Sequence, residues 1–486
     1  WYVFSICVVF LFLSSKTSLH YFFACLHIIL FFFNLGWGPF HWKFTLQCGL
    51  SWACDVIEIM LLSFLIPNII GTVFLEDAST AKKDTYGFLL GAVTFGGILL
   101  GSLAFGWFSD RFGRRVGYLF STLLIAIFGL LCTVSPNIET LIALRSVVGF
   151  GLGGVTCSFT LLSEVVGEKS RGKKIILSMG GLWTSGAIFS AAIAWVCFTQ
   201  VPLNWQWRTF IILSAVPSVV LLGLFPFLIE SPRYHLSRNT QAMADKAVET
   251  LYKIQDINKL STLPENLKLH KLDDGASRKE WKKLFDKNFC LTTIILTCLW
   301  FLNMGAYYGI CFVTPLYFKG LHDNEYLAAF ISACSEVPGI LASSWLVDRL
   351  GRKKTLILMY IICGIATALL SLDSYLPFAG LVTAAVISRG SAMGAIMSLY
   401  LYTPEVYPTE IRNVALGMGS AVSRVAGIIT SYLSFRSGSI TNATTAIIIY
   451  AVAVVVSGIL TIFLPYETKD RAIDAFDRLD QEQEQE

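Results

Sequence analysis

The chain has 486 residues, 55% of them hydrophobic and only 14% charged, with a mean hydropathy of +0.64 and 36 Phe. A soluble domain of this length cannot bury so much apolar surface, so the surrounding medium is lipid. Its 37 Lys and Arg against 33 Asp and Glu leave a net charge of +4, which excludes a basic face for nucleic acid. The 12 Cys are scattered through apolar runs, as at Cys132, Cys157 and Cys363, and form no C-x-x-C pair. They suggest neither a zinc site nor a disulfide framework.

Residues 1–33 are apolar, begin at Trp1 and split into two short runs around Lys16. No small-residue cleavage site follows, and a thirteenth span would put the two termini on opposite sides of a bilayer. This segment is read as an apolar leader outside the core fold. A helix needs about 20 apolar residues to cross the hydrocarbon core. Twelve runs of that kind follow: 44–73, 87–108, 116–134, 139–162, 175–199, 208–229, 289–318, 325–347, 355–371, 376–403, 412–434 and 442–465. They divide the chain into a six-helix bundle at 34–229, a polar, Lys-rich linker with short helices at 230–288, a second six-helix bundle at 289–465, and an acidic tail at 466–486.

With linker and tail on one side, the short loops of that side hold Arg111, Arg114, Arg115, Lys169, Arg171, Lys173, Lys174, Arg349, Arg352, Lys353, Lys354 and Arg412. The other side holds only Lys82, Lys83, Lys319 and Arg436, with Arg208 at an edge. The positive-inside rule places the basic side, and both termini of the core, in the cytoplasm of a cell whose plasma membrane or vesicle membrane holds the protein.

An internal repeat is the sharpest signal. Gly106-Trp-Phe-Ser-Asp110-Arg111-Phe-Gly113-Arg114-Arg115 follows the second run, and Ser344-Trp-Leu-Val-Asp348-Arg349-Leu-Gly351-Arg352-Lys353 follows the eighth. A glycine allows two helices to approach, an aspartate at a helix end engages neighbouring dipoles and basic groups, and the cations anchor the inner leaflet. One copy would pass for a plain positive-inside loop. Two copies in register point to a conformational latch.

These loops resemble the signature of the major facilitator superfamily, which implies an all-α membrane protein of twelve transmembrane helices in two pseudo-symmetric six-helix bundles rocking around a central site. Arg145-Ser-Val-Val-Gly149 in the fourth run is similar to that family's Arg-x-x-x-Gly pattern, with Arg389-Gly390 and Gly394 as a counterpart in the tenth. Glu230-Ser-Pro232-Arg233-Tyr234 resembles a motif of sugar and organic-ion carriers. Pro404-Glu405-Val-Tyr-Pro408-Thr-Glu-Ile-Arg412 is more specific, and Glu164 with Arg171-Gly172 is its first-half echo. The opening Gly36-Trp-Gly-Pro-Phe-His-Trp42, followed by Asp55-Val-Ile-Glu58, is similar to synaptic vesicle 2-related proteins and their metabolite and organic-ion relatives. Where sugar porters carry a Gln-rich seventh span, this chain has Asn303-Met-Gly-Ala-Tyr307-Tyr308-Gly309, which argues against a hexose.

An ionisable group at bilayer depth costs about 2.5 to 3.5 kcal/mol, so each one needs a partner or a role. Asp55 and Glu58 stand at i and i+3 on one helix face, and two carboxylates that close disfavour double ionisation. They are candidates for proton coupling, or else are paired structurally with Arg145 or Arg389. Arg145 and Arg389 occupy equivalent places in the two halves and are placed to bind a substrate carboxylate or to hold those acids. Glu336, before Pro338, sits where the proline invites a bend in the eighth run. Tyr307, Tyr308 and Trp300 offer rings to an aromatic or cationic solute or simply pack. Glu164, Arg171, Glu230, Arg233, Glu405 and Arg412 are expected, with the repeat loops, to form a gate at the cytoplasmic ends.

The expected function is secondary active transport of a small organic ion or metabolite by alternating access, coupled to protons, by a chain expected to be monomeric. Two alternatives remain: a facilitative uniporter of the same fold, and a non-transporting receptor or trafficking protein. With no phosphate loop, metal cluster or nucleophile constellation, neither an enzyme nor a cofactor is expected.

Overall fold

A computed structural model describes residues 39–75, 77–165, 168–237, 241–258, 280–286, 289–319, 325–372, 375–408, 411–435 and 440–469. The expected leader at 1–33 and the tail from 470 onward lie outside the described residues. Among the described residues twelve helices are long and apolar enough to cross a bilayer: α1 (Pro39–Ile69), α2 (Thr80–Phe112), α3 (Arg114–Val134), α4 (Ile138–Leu162), α5 (Ser178–Gln200), α6 (Gln206–Phe227), α7 (Cys290–Pro315), α8 (Tyr326–Leu350), α9 (Arg352–Leu370), α10 (Phe378–Val406), α11 (Val414–Phe435) and α12 (Ala443–Ile462). Each matches one expected run. Main-chain groups in hydrocarbon must be satisfied within the segment, which is why every span is helical.

Burial sorts the helices into axis and rim. The most apolar window of α1 is 89% buried and that of α10 72%, against 39% for α2, α6 and α11, so α1 and α10 run through the middle while the others show a face to lipid. Two further helices, α4 and α8, are interrupted. α4 breaks after Gly153, and Ser121 Oγ donates to the Gly151 carbonyl at 2.8 Å. α8 breaks at Ser335, because Pro338 has no N–H to continue the ladder, and a new helical segment starts at Glu336.

The second and fourth helices of each half touch backbone to backbone. A Cβ on Gly101 of α2 would collide with the Phe150 carbonyl of α4, and one on Gly339 of α8 with the Gly390 carbonyl of α10. Gly106, expected to permit a close approach, does not: nothing lies within 4 Å of a Cβ built there. The glycines that the repeat loops require are Gly113 and Gly351, at φ of 112° and 93°. Each ends one span and starts the next in a conformation that L-residues avoid.

At the end of the molecule carrying these loops, here the basic end, the two halves mirror one another. Arg111 lies over the exposed Trp107 indole at 5.7 Å and Arg349 over Trp345 at 4.5 Å, which suits rings and cations at a membrane interface. The segment expected as a free tail starts later than 466, since Tyr466 to Lys469 fold back onto the second half. Tyr402 donates to the Tyr466 carbonyl at 2.6 Å, and Lys469 Nζ to that of Arg349 at 3.0 Å.

Replacing Gly113 or Gly351 by Ala is expected to lower stability by about 1–2 kcal/mol, the cost of a left-handed L-residue. Gly106→Ala, in open helix, should leave stability unchanged or higher. Thermal melting of the detergent-purified variants distinguishes the two classes.

Candidate functional site

Three ion pairs cross the middle of the bundle, and each uses a different pair of helices. Arg145 of α4 donates through Nη1 to Glu58 Oε2 of α1; their side chains are 0% and 3% exposed. Arg389 of α10 donates through Nε to Glu336 Oε1 of α8 at 2.8 Å. Arg424 of α11 donates through Nη2 to Asp55 Oδ2 of α1 at 3.2 Å, and through Nη1 to the Tyr308 hydroxyl at 3.2 Å.

From the sequence, Asp55 and Glu58 are candidates for proton coupling or else structural partners of Arg145 or Arg389. In the structure Glu58 does pair with Arg145, whereas Asp55 takes Arg424 and Arg389 takes Glu336. Although Asp55 and Glu58 are one turn apart, each has its own cation, so they do not act as a carboxylate pair. Arg424 belongs to no repeated motif, so motif reasoning passes over it. A lone arginine at mid-span is nevertheless the signal that marks Arg145, and it could have found Arg424.

Glu336 is fully buried and collects donors from both halves. Besides Arg389, it accepts from Tyr307 Oη of α7 at 2.8 Å and from Thr184 Oγ1 of α5 at 3.0 Å. Tyr307 Oη in turn accepts from Trp183 Nε1 of α5 at 3.0 Å. Arg389 Nη2 also reaches Met60 Sδ of α1 at 3.7 Å. The break in α8 places Glu336 at this crossing.

A cavity of about 30 Å³, room for roughly two waters, adjoins this layer. It lies between α1, α4, α7 and α10, with α5 as a fifth wall, and Trp52, Phe159, Trp183, Tyr307, Met397 and Tyr400 line it. Tyr308 and Trp300 are buried behind it; Tyr308 holds Arg424, and Trp300 packs edge-on to Tyr400 at 4.6 Å. At the opposite end the halves touch. Phe198 of α5 stacks on Tyr326 of α8 at 5.4 Å, Trp195 meets Phe330 at 6.0 Å, and Tyr326 Oη donates to Asn68 Oδ1 at 3.2 Å.

The expected gate residues form two networks, each inside one half. In the first, Arg114 pairs with Asp110 and with Glu164 at 3.4 Å, and Glu230 accepts from the N–H groups of Arg114, Arg115 and Ser231. Burial pushes the Glu230 carboxyl above its ordinary value, opposed by those N–H donors and by Arg114. In the second, Arg352 grips Glu405 with two bonds of 2.8 Å, Thr468 donates to Glu405 at 2.6 Å, and Glu467 accepts from the N–H groups of Arg352 and Lys353. Glu467, missed from sequence, is the counterpart of Glu230: each carboxylate caps the third helix of its half, 116 and 115 residues after the arginine it receives. Asp348 is exposed within the field of Arg352, and Arg412 reaches the Tyr407 carbonyl at 3.5 Å. The side chains of Arg171 and Arg233 lie outside the described residues.

The sugar (and other) transporter family model matches residues 66–479. The chain belongs to that family of the major facilitator superfamily. It is 31% identical over 462 residues to the synaptic vesicle 2-related protein of Bos taurus, covering 90% of this chain and 80% of the relative. It is 30% identical over 487 residues to organic cation/carnitine transporter 7 of Arabidopsis thaliana, covering 90% and 93%. The fold is also that of the E. coli proton:xylose symporter XylE bound to 6-bromo-6-deoxy-D-glucose, at a TM-score of 0.70 with 20% identity, covering 90% and 99%. The chain is thus a multi-pass membrane transporter of small organic solutes.

Glu58→Gln leaves the Arg145 guanidinium buried without its counter-charge, at an expected cost of about 3–5 kcal/mol. The double variant Glu58→Gln, Arg145→Gln should recover much of that loss. Thermal unfolding followed by size-exclusion chromatography measures both.

Proposed function

We propose that the protein moves a small organic ion by alternating access and couples that movement to protons through Asp55. The observation that carries this reading is the Asp55–Arg424 pair. It joins α1 of the first half to α11 of the second, and Asp55 Oδ1 is buried without a hydrogen-bond partner. The pair is the loosest of the three, because Arg389 and Glu336 meet at 2.8 Å and share further donors.

An ion pair across the two halves resists their separation, and a proton on Asp55 cancels the attraction without leaving a naked carboxylate in hydrocarbon. Arg424 is then free to exchange partners. The Glu58–Arg145 pair lies inside the first half, so rocking of the halves does not strain it. The proton:xylose symporter of like fold and the organic-ion relatives support this choice of chemistry. The positive-inside rule assigns the basic end to the cytoplasm, so the contacts around Tyr326 close the outer side. The vesicle relatives favour an intracellular vesicle membrane.

Proteoliposomes offered mixed organic anions and cations, with and without an imposed pH gradient, test the reading. Wild type should accumulate a solute only under the gradient, and Asp55→Asn should equilibrate that solute without accumulating it. Accumulation retained in Asp55→Asn would remove Asp55 from the coupling step.

A further inference from the structure

At the end opposite the basic loops, α2 of the first half packs along α11 of the second. On α2, Gly87, Gly91 and Phe95 stand at i, i+4 and i+8 and so share one face. A Cβ on Gly91 would press on the Ser431 side chain of α11, and one on Gly87 would touch that of Phe435. The face ends on Phe95, whose ring fills the space where a Cβ on Gly427 of α11 would stand. Phe95 is 0% exposed, and its ring lies 5.1 Å from that of Tyr308 and 6.2 Å from that of Phe312, both on α7.

Phe95 is thus a first-half side chain seated in the second half. Its backbone is fixed to the first: a Cβ on Gly149 of α4 would strike the Thr94 carbonyl, and one on Gly97 the Ser146 carbonyl. The seat lies just beyond the Asp55–Arg424 pair, toward the far end. Gly427 comes about one turn after Arg424 on α11, and Phe312 about one turn after Tyr308 on α7, whose hydroxyl receives Arg424 Nη1. The Arg424 side chain is 13% exposed, so the sealed stretch of this seam ends at the pair. Rings packed on rings leave no room for a chain of water, and an apolar constriction of this kind closes a path by staying dry.

We propose that Phe95 is a positioning residue that seals the Asp55–Arg424 pair from the far side, so that a proton reaches Asp55 from one side of the membrane at a time. This rests on the transport reading and adds the residue that keeps coupling tight. While the far end is closed, Phe95 sits on Gly427 and Tyr308. When α2 and α11 part, it leaves with the first half and uncovers the pair. Without its ring, the vacated seat would lie against Tyr308 and the pair that Tyr308 holds, polar groups that retain water. Asp55 would then be wet from both sides. A proton would bind its carboxylate from one compartment and leave to the other, with no bond to carbon changed and no solute moved. Among the described residues, the titratable groups around Asp55 are Cys54 and Glu58 on its own helix, Arg424 of α11, Tyr308 of α7 and Tyr400 of α10. A change at Phe95 leaves all of them in place.

Proteoliposomes holding the full chain and an entrapped pH-sensitive dye test this, with valinomycin and potassium clamping the voltage and no solute present. An imposed pH gradient should persist with wild type. Phe95→Ala should dissipate it at least about tenfold faster, a step of one decade in rate. Phe95→Leu refills most of the seat and should restore the seal. Phe95→Ala combined with Asp55→Asn should be as tight as wild type, because the leak runs through that carboxylate. If Phe95→Ala does not fold, Phe95→Val leaves a smaller gap and should leak in the same Asp55-dependent way. A gradient held by Phe95→Ala as well as by wild type overturns the proposal. So does a leak that survives Asp55→Asn, since that is a hole in the bundle and not an opened proton site. Solute accumulation separates the seal from the transport reading. Gradient-driven accumulation in wild type, with neither leak nor loss of accumulation in Phe95→Ala, sinks the seal alone. An Asp55-dependent leak in Phe95→Ala with no gradient-driven accumulation in wild type keeps the seal and sinks the coupling.

Discussion

In a helical bundle surrounded by lipid, an ionised side chain must find its counter-charge inside the protein, and the layout of this molecule follows from how three arginines do so. Arg145 is matched within the first half by Glu58, and both are sealed from solvent. Arg389 is matched within the second half by Glu336, whose other donors come from α7 and α5. Arg424 is matched only across the halves, by Asp55. The first pair is a fixed part of one bundle, the second a junction, and the third a contact that must change whenever the halves move.

The arginines of α4 and α10 obey the internal symmetry, but their carboxylates do not. Arg145 finds its acid on α1 and Arg389 on α8, because α8 breaks at Ser335 and swings Glu336 into the axis while α7 carries no acid there. This asymmetry gives the second half a junction reaching Thr184 and Met60 of the first. The cavity lies beside it, and Tyr307 belongs to both the wall and the junction.

The twelve spans were legible because about 20 apolar residues have few alternatives to crossing a bilayer. The repeat loops were legible as a pair, and Gly113 and Gly351 were within reach because only a left-handed turn explains a glycine between two such helices. Which acid meets which arginine was not legible. Spacing on one helix places Asp55 and Glu58 on a shared face, but about 100° of azimuth per residue and the approach of α4 or α11 decide the partner. Glu467 was hidden for another reason: its flanking residues, Pro465-Tyr466 and Thr468-Lys469, share little with those of Glu230, and only the fold shows that both cap a third helix.

The charges at the basic end are arranged so that the ion pairs described there each stay within one half: Arg114 with Asp110 and Glu164, Arg352 with Glu405. Each bundle therefore carries internal bracing of its own, and drawing the two apart leaves these pairs intact. Ring packing links the two halves, as in the Trp52–Tyr400 edge contact at 6.2 Å. Dissolved salt weakens attraction between exposed charges over distances near 10 Å but leaves ring packing untouched. The door at this face thus swings on braced panels, and salt that screens these pairs slackens each panel without unlatching one from the other.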